Sequence, residues 1–269
     1  MTQLQYDQSI ELTVPETYDR YFVPAIGRPL AEDLISRADI QPGEQVLDVA
    51  CGTGIVARLA AQKTGPSGSV TGLDINPGML EVARSVVNTD IAEDWHEASA
   101  EKMPLPDKNY DVVLCQAGLQ FVEDKPAAMR EMYRVLAEPG RVYINVPGKE
   151  GELFAIFLDE LENHISPEAA GAARKVFSMN DTEELRQLME NANFKNTDVT
   201  SNEKTFKLPP PKDFLWQYIH CTPLGAVVAE IDEKQQLALE RDIVQKWQKF
   251  EQNGGMIYRQ QVFTSTGEK

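Results

Sequence analysis

Val46-Leu-Asp-Val-Ala-Cys-Gly-Thr-Gly54 decides the fold of this chain, and Asp74 lies twenty residues beyond its end. Val46, Leu47 and Val49 form a short apolar run that reads as a buried strand. Gly52 and Gly54 read as a tight turn into a helix beginning near Ile55. A backbone without Cβ lets a ligand reach van der Waals contact with such a turn. An acidic residue at the end of the next strand can hold a ribose diol through paired hydrogen bonds. Together these features point to a nucleoside cofactor.

From residue 45 to residue 146 the pattern alternates strand and helix. Residues 45–49 form the first strand, and Ile55, Val56, Leu59 and Ala60 follow at helical spacing. Gly65-Pro-Ser-Gly68 breaks that helix, and residues 69–73 form the second strand. Pro77 then opens a helix through Met79, Leu80, Val82 and Ala83, since its missing N–H has no partner in a first turn. A short strand is expected near residues 95–98. Residues 110–115 are nearly all apolar, as for the centre of a parallel sheet. Ala128, Met129, Met132, Val135 and Leu136 stripe the next helix, Pro139-Gly140 ends it, and residues 141–146 form the fifth strand. Strands joined by helical crossovers predict a doubly wound, mostly parallel α/β sheet of seven strands.

Beyond residue 146 the texture changes. Residues 154–161 are a helical apolar stretch. Asp181 and Glu184 have capping-box spacing ahead of Leu185, Leu188, Met189 and Ala192, and Asn193 stands where a helix end favours a left-handed residue. Leu208-Pro-Pro-Pro211 reads as a stiff connector. Leu239, Ile243, Trp247 and Phe250 stripe a long amphipathic helix closed by Gly254-Gly255. Residues 258–264 read as a last, antiparallel strand returning to the sheet. The expected organisation is one domain: an N-terminal lid or helical segment over 1–39, a cofactor-binding core over 40–150, a helical cap from 151–180 and 207–255, and a final strand in 256–269.

Twenty-six Lys and Arg face 42 Asp and Glu, a net charge of -16. That field repels nucleic acid and anionic membrane surfaces, so neither is an expected partner. No apolar run approaches the ~20 residues that span a bilayer, and Met1-Thr-Gln-Leu-Gln-Tyr-Asp7 lacks the basic and apolar regions of a signal peptide. Cys51, Cys115 and Cys221 are widely spaced with no C-x-x-C pair, which suits reduced thiols in the cytoplasm. No metal site is expected, and no motif speaks to oligomeric state.

A Gly-x-Gly turn followed by the small Ala57 also suits a nicotinamide fingerprint. Three details favour S-adenosylmethionine. Asp48 lies at the strand end four residues before Gly52, where it would repel a pyrophosphate but accept an ammonium and a sulfonium. Ala100 follows the third strand, where a backbone N–H can serve an adenine ring. Cys115-Gln-Ala-Gly-Leu-Gln-Phe121 puts polar groups at the carboxyl edge of the sheet, where open α/β sheets bind ligands.

Asp48-Val-Ala-Cys-Gly-Thr-Gly54, Gly72-Leu-Asp-Ile-Asn-Pro-Gly-Met-Leu80, Ala98-Ser-Ala-Glu-Lys-Met-Pro-Leu-Pro106, Tyr110-Asp-Val-Val-Leu-Cys115 and Arg134-Val-Leu-Ala-Glu-Pro-Gly140 occur in that order. This series resembles the successive motifs of Rossmann-like (class I) S-adenosylmethionine-dependent methyltransferases. The subgroup it resembles is the type 11 small-molecule enzymes that include the ubiquinone/menaquinone C-methyltransferases. The resemblance covers residues 45–147 and assigns nothing in the C-terminal part. It implies that Asp48, Ala50, Gly52 and Gly54 surround the methionine moiety and that Asp74 holds the ribose hydroxyls. It further implies Ile75 and Met79 packed on adenine, Ser99 and Ala100 at the adenine edge, and Gln116 beside the sulfonium. Ser99 stands where the family usually has Asp, and Pro139-Gly140-Arg141 replaces its usual Pro-Gly-Gly.

Methyl transfer from a sulfonium is an in-line displacement, so the protein mainly supplies alignment and a dry pocket. A general base is needed only where an acceptor proton must leave early. His96 reads as structural; His164 and His220, in the expected cap, are the weak candidates. Tyr18 and Tyr21, in Glu16-Thr-Tyr-Asp-Arg-Tyr-Phe22, read either as a lid with Tyr21 on the cofactor or as ordinary packing. Trp216, Tyr218 and Trp247 read as core or as the wall of an apolar acceptor pocket. The expected function is methyl transfer to a small, partly apolar acceptor, with S-adenosylhomocysteine as product. The rivals are an NAD(P)-dependent oxidoreductase and a non-catalytic S-adenosylmethionine-binding protein.

Overall fold

The computed structural model describes residues 12–86 and 93–269. In chain order the elements begin with α1 (Val14–Thr17), a π-helix (Tyr18–Gly27) and α2 (Arg28–Ala38). Then come β1 (Gln45–Val49), α3 (Ile55–Thr64), β2 (Ser69–Asp74), α4 (Pro77–Ser85), β3 (Glu93–Glu97), β4 (Tyr110–Gln116), α5 (Lys125–Val135) and β5 (Leu136–Pro147). The remainder is α6 (Glu152–His164), α7 (Pro167–Arg174), α8 (Thr182–Asn191), β6 (Lys195–Leu208), α9 (Pro211–His220), α10 (Leu224–Ala229), α11 (Glu233–Trp247), β7 (Glu251–Gln252) and β8 (Gly255–Glu268). These elements divide between two compact units. A sheet unit takes residues 28–148, 179–202 and 262–269; a helical unit takes the described residues up to 27, with 149–178 and 203–261.

The sheet runs β3-β2-β1-β4-β5-β8-β6, with the two-residue β7 paired to β8 off that path. Neighbouring strands from β3 through β5 pair parallel, and β8 pairs antiparallel with β5. Burial explains the order. Val46, Leu47, Val49, Val112, Val113 and Leu114 are all inaccessible to solvent, so β1 and β4 need cover on both faces and take the centre. On one face Leu47, Val49, Val113 and Cys115 pack with Met129 and Met132 of α5 and Leu185 and Met189 of α8.

Several expectations shift at their edges. Leu136, read as the end of a helical stripe, opens β5. Its N–H still closes a helical bond to the Met132 carbonyl while its own ψ of 136° is extended. Asp181 caps α8 through the Glu183 N–H, not through a reciprocal box with Glu184, and Asn193 is left-handed at φ 68° as its position required. α11 stops at Trp247, and Phe250 falls in a short 3-10 turn. β6 went unread. Its fourteen residues are mostly polar and only Phe206 and Leu208 are buried, so no apolar run announces it. Residues 28–38, placed by the sequence in the segment 1–39, form α2 in the sheet unit, against α3 and β5. The amino-terminal reading of residues 1–7 lies outside the described residues.

In the helical unit Phe154 is the hub of an aromatic cluster. Its ring centroid lies 4.9 Å from Tyr218, 5.2 Å from Tyr258 and 5.4 Å from Phe177, all tilted or edge-on, as ring quadrupoles prefer. Phe157 and Phe214 bring the buried Trp247 into the same cluster. The Trp247 indole N–H donates to the Leu153 carbonyl at 2.9 Å, and that of Trp216 donates to Glu240 at 2.7 Å. Trp216, Tyr218 and Trp247 are thus packed core within this unit. Among the described residues no helix is long and apolar enough to cross a membrane.

Candidate functional site

β1 ends in a backbone that few residue types tolerate. Ala50 has φ +55°, Gly52 +55° and Gly54 +85°, three left-handed residues within five positions. Left-handed alanine is strained, and such strain gathers at ligand sites. Gly54 is the N-cap of α3 and has no side chain to cap it. The cap comes instead from Asp48: its Oδ2 accepts the Ala57 N–H at 3.0 Å, satisfying a donor in the first turn of α3. Asp48 is fully buried, and its Oδ1 has no hydrogen-bond partner. Burial above all lifts its carboxyl to about 8, with the charge of Asp74 adding to the effect; the Ala57 N–H and Arg58 oppose it.

Asp74 closes the turn from β2. Its Oδ2 accepts the Gly52 N–H and its Oδ1 accepts the Asn76 N–H, each at 2.8 Å. Both oxygens are thereby aimed, and each keeps a lone pair for a further donor. Burial raises this carboxyl too, against the N–H groups of Asn76, Gly52 and Ile75 that lower it. Ile75 beside it is 70% exposed, an unusual position for a large aliphatic side chain unless something covers it. Met79 lies in the first turn of α4, which Asn76 caps.

The other strand ends meet this turn. The Ala98 N–H donates to the Asp74 carbonyl at 3.0 Å, tying the loop of Ser99 and Ala100 to the end of β2. Ser99 Oγ accepts the Glu101 N–H at 3.1 Å. Gln116 ends β4 and is followed by left-handed Ala117, at φ +47°. Ala117 donates its N–H to both the backbone and the side-chain oxygen of Asn145, at 2.9 and 3.2 Å. Gly118 is required here, because a Cβ would lie 2.5 Å from that of Ala50. Asp48, Ala50, Gly52, Gly54, Asp74, Ile75, Met79, Ser99, Ala100 and Gln116 therefore all belong to the carboxyl edge of β1, β2, β3 and β4.

The two glycines of the turn have opposite surroundings. A Cβ on Gly52 would meet nothing within 4 Å, whereas one on Gly54 would lie 2.6 Å from the Trp95 ring. The open face belongs to Gly52. Cys51 is buried, and burial pushes its thiol well above its ordinary range.

Tyr21, His164 and His220 belong to the helical unit. Tyr21 is buried on the π-helix with the Arg20 guanidinium over its ring at 5.6 Å. Tyr18 stacks on Phe22 at 4.7 Å. His164 Nε2 lies 3.0 Å from Asp242 and 3.3 Å from the buried Glu160, which also binds Lys246. His220 Nδ1 is 2.8 Å from the Trp216 carbonyl. Among the described residues His96 pairs with Asp94 on β3.

Sequence reasoning missed Glu101 and Trp95. Glu101 Oε1 accepts the N–H groups of Glu123 and Asp124 at 3.1 and 3.0 Å, joining the loop after β3 to the start of α5. A lone acid in Ser-Ala-Glu-Lys carries no signal for that. Trp95 did carry one: a tryptophan in the otherwise polar Glu93-Asp-Trp-His-Glu97 of a short strand.

A methyltransferase domain model matches residues 47–144. The ubiquinone/menaquinone biosynthesis C-methyltransferase UbiE of Xanthomonas oryzae pv. oryzae is 38% identical over 138 residues, covering 50% of this chain and 50% of that protein. The chain spans about half the length of the curated relatives it matches. The YcgJ protein of Bacillus subtilis superposes with TM-score 0.57 at 18% identity, over 90% of this chain and 98% of that one. Phosphoethanolamine N-methyltransferase 2 of Haemonchus contortus, solved with S-adenosyl-L-methionine, gives TM-score 0.58 at 18% identity, over 93% of this chain and 55% of that one. The domain match begins at β1 and ends in β5, the span that holds the glycine turn and the carboxyl edge. Over that span the chain is similar to the type 11 methyltransferase domain and to the UbiE methyltransferases, and its fold is that of the solved methyltransferases.

Proposed function

We propose that this protein is an enzyme that methylates a small-molecule acceptor, with S-adenosyl-L-methionine as donor and S-adenosylhomocysteine as product. The observation that carries this reading is the pair of buried carboxylates at one glycine turn. Asp74 has both oxygens aimed by N–H groups, and Asp48 has one oxygen without a partner. Asp48 beside Asp74 suits a ligand with a diol and a cationic end, which would draw the raised acid into its ionised form, whereas a pyrophosphate would oppose that ionisation; this disfavours the nicotinamide reading. When bound, S-adenosylmethionine supplies a methyl group activated by its sulfonium.

In this reading Asp74 receives the ribose hydroxyls, and Ile75 and Met79 pack on adenine. Ser99 and Ala100 serve the adenine edge. Asp48, Ala50, Gly52 and Gly54 hold the methionine end, with Gln116 beside the reacting centre. Tyr21 and the amino-terminal segment act as a lid, and segments 151–180 and 207–255 act as a cap around a partly apolar acceptor. Alignment and exclusion of water then do most of the work of an in-line displacement. His164 Nε2 lies against two carboxylates and His220 Nδ1 against a backbone carbonyl, contacts that orient each ring, and both stay weak base candidates. The net charge of -16 supports a small acceptor rather than nucleic acid. Three buried free cysteines support a reducing cytoplasm.

Calorimetric titration tests the cofactor: saturable binding of S-adenosylhomocysteine and none of NAD is expected, and the reverse overturns the reading. Incubation of a metabolite extract with methyl-labelled cofactor tests turnover. Labelled product is expected; binding without any labelled product would favour a non-catalytic role.

A further inference from the structure

We infer that Trp95 is a positioning residue for the cofactor turn, its indole serving as the wall against which Gly54 is seated so that Gly52 keeps its open face. The inference rests on the methyltransferase reading only for the identity of the ligand. Trp95 stands on the edge strand β3 directly across from Gly72 of β2. A Cβ on Gly72 would lie 2.3 Å from the Cε3 and Cζ3 atoms of the ring, and one on Gly54 would lie 2.6 Å from Cη2 and 3.2 Å from Cζ3. The six-membered ring therefore spans from the middle of β2 to the N-cap of α3, occupying the space two side chains would need. α4 holds it from the other side: Arg84 donates to the Trp95 carbonyl at 3.1 Å, and Ala83 comes within 3.4 Å of the same Gly54 position.

The consequence lies one residue away. Gly54 has no capping side chain, and its N–H bonds the Cys51 carbonyl at 2.9 Å. Gly52 sits inside that tight turn and donates its own N–H to Asp74. Moving Gly54 moves Gly52, and with it the carboxylate that Gly52 helps to aim. A site holds its ligand only as well as the packing behind it is fixed. Gly72 makes room for the ring, Gly54 does so in addition to taking its left-handed φ of +85°, and Gly52 is the glycine left open to the ligand.

The test is calorimetric titration of the full chain with S-adenosylhomocysteine. Trp95→Ala should weaken binding about ten-fold, equal to about 1.4 kcal/mol, and Trp95→Phe should recover most of the loss. Gly72→Ala should weaken binding alone and add much less on the Trp95→Ala background, where its Cβ no longer competes with the ring and next meets Cys51 Sγ at 3.1 Å. Saturating ligand should change the tryptophan fluorescence of the wild type and leave that of Trp95→Phe unchanged. Unaltered affinity in folded Trp95→Ala, or an equal Gly72→Ala effect in both backgrounds, overturns the inference. If Trp95→Ala does not fold, Trp95→Phe fluorescence and the Gly72→Ala titration decide alone. A wild type that binds no S-adenosylhomocysteine overturns the methyltransferase reading and this inference together; a wild type that binds, with indifferent variants, removes only the role of the indole.

Discussion

Asp48 in the sheet unit and Trp247 in the helical unit are both wholly buried, and they treat their polar atoms in opposite ways. Trp247 gives its indole N–H to a backbone carbonyl and surrounds the rest of its ring with aromatics. Asp48 leaves one carboxyl oxygen unpaired beside a second raised carboxyl and three left-handed residues. A buried polar atom without a partner costs about 1–3 kcal/mol, which a donor placed at that oxygen would recover. A satisfied aromatic needs no such partner. One region keeps an unpaired oxygen and a left-handed backbone, the other pairs and packs.

Truncating the packed region should have the largest effect. Trp247→Ala should lower unfolding stability by about 3–5 kcal/mol, the usual result of emptying a large core site. Denaturant unfolding measures it. A stable variant with an altered acceptor KM would instead make Trp247 a pocket wall and erase the contrast. In the binding region Asp74→Ala should weaken S-adenosylhomocysteine by about 1–3 kcal/mol, leaving hydroxyls unpaired. Unchanged affinity in calorimetry removes Asp74 from the site.

Proton linkage sharpens the contrast next. Folding raises the Asp48 carboxyl from 3.8 to about 8, burial being the main cause. The protonated acid therefore contributes stability that is complete below the unfolded value and is lost as pH climbs through 8. The ligand-free protein should lose stability across that window. An ammonium beside it favours the ionised acid, so the affinity of S-adenosylhomocysteine, which keeps its ammonium but not the sulfonium, should tighten as pH rises toward 8, by at most about ten-fold per pH unit. Asp48→Asn should flatten both trends, and a slope that survives it assigns the proton elsewhere. The smallest effect belongs to a surface feature in neither category: Asp181→Ala removes the cap of α8 and should cost about 1 kcal/mol in thermal unfolding.

Legibility in the sequence follows the same division. The β1 strand, its glycine turn, Asp74 and the alternation to β5 could be read because burial on two faces demands apolar runs, and left-handed turns demand glycine. Ser99, Ala100 and Gln116 came with the motif series and do lie on the carboxyl edge. β6 escaped because a mostly polar strand carries no hydrophobic signature; Thr197, Asp198, Ser201 and Glu203 look like loop. The π-helix with Pro24 inside it escaped because its hydrogen-bond pattern has no periodic marker. α2 was grouped with the lid because its amphipathic face does not say which unit it covers.

By itself, then, the sequence determined that an apolar strand runs into a glycine turn with Asp48 and Asp74 beside it, since backbone conformation and charge type are local properties of a few residues. Which glycine keeps an open face was decided only in three dimensions. Gly52 and Gly54 are two positions apart in one turn, and it is Trp95, some forty residues on, that fills the space beside one and leaves the other open. The aromatic stripe likewise became core rather than pocket only through packing, because helical spacing says that residues share a face and not what the face meets.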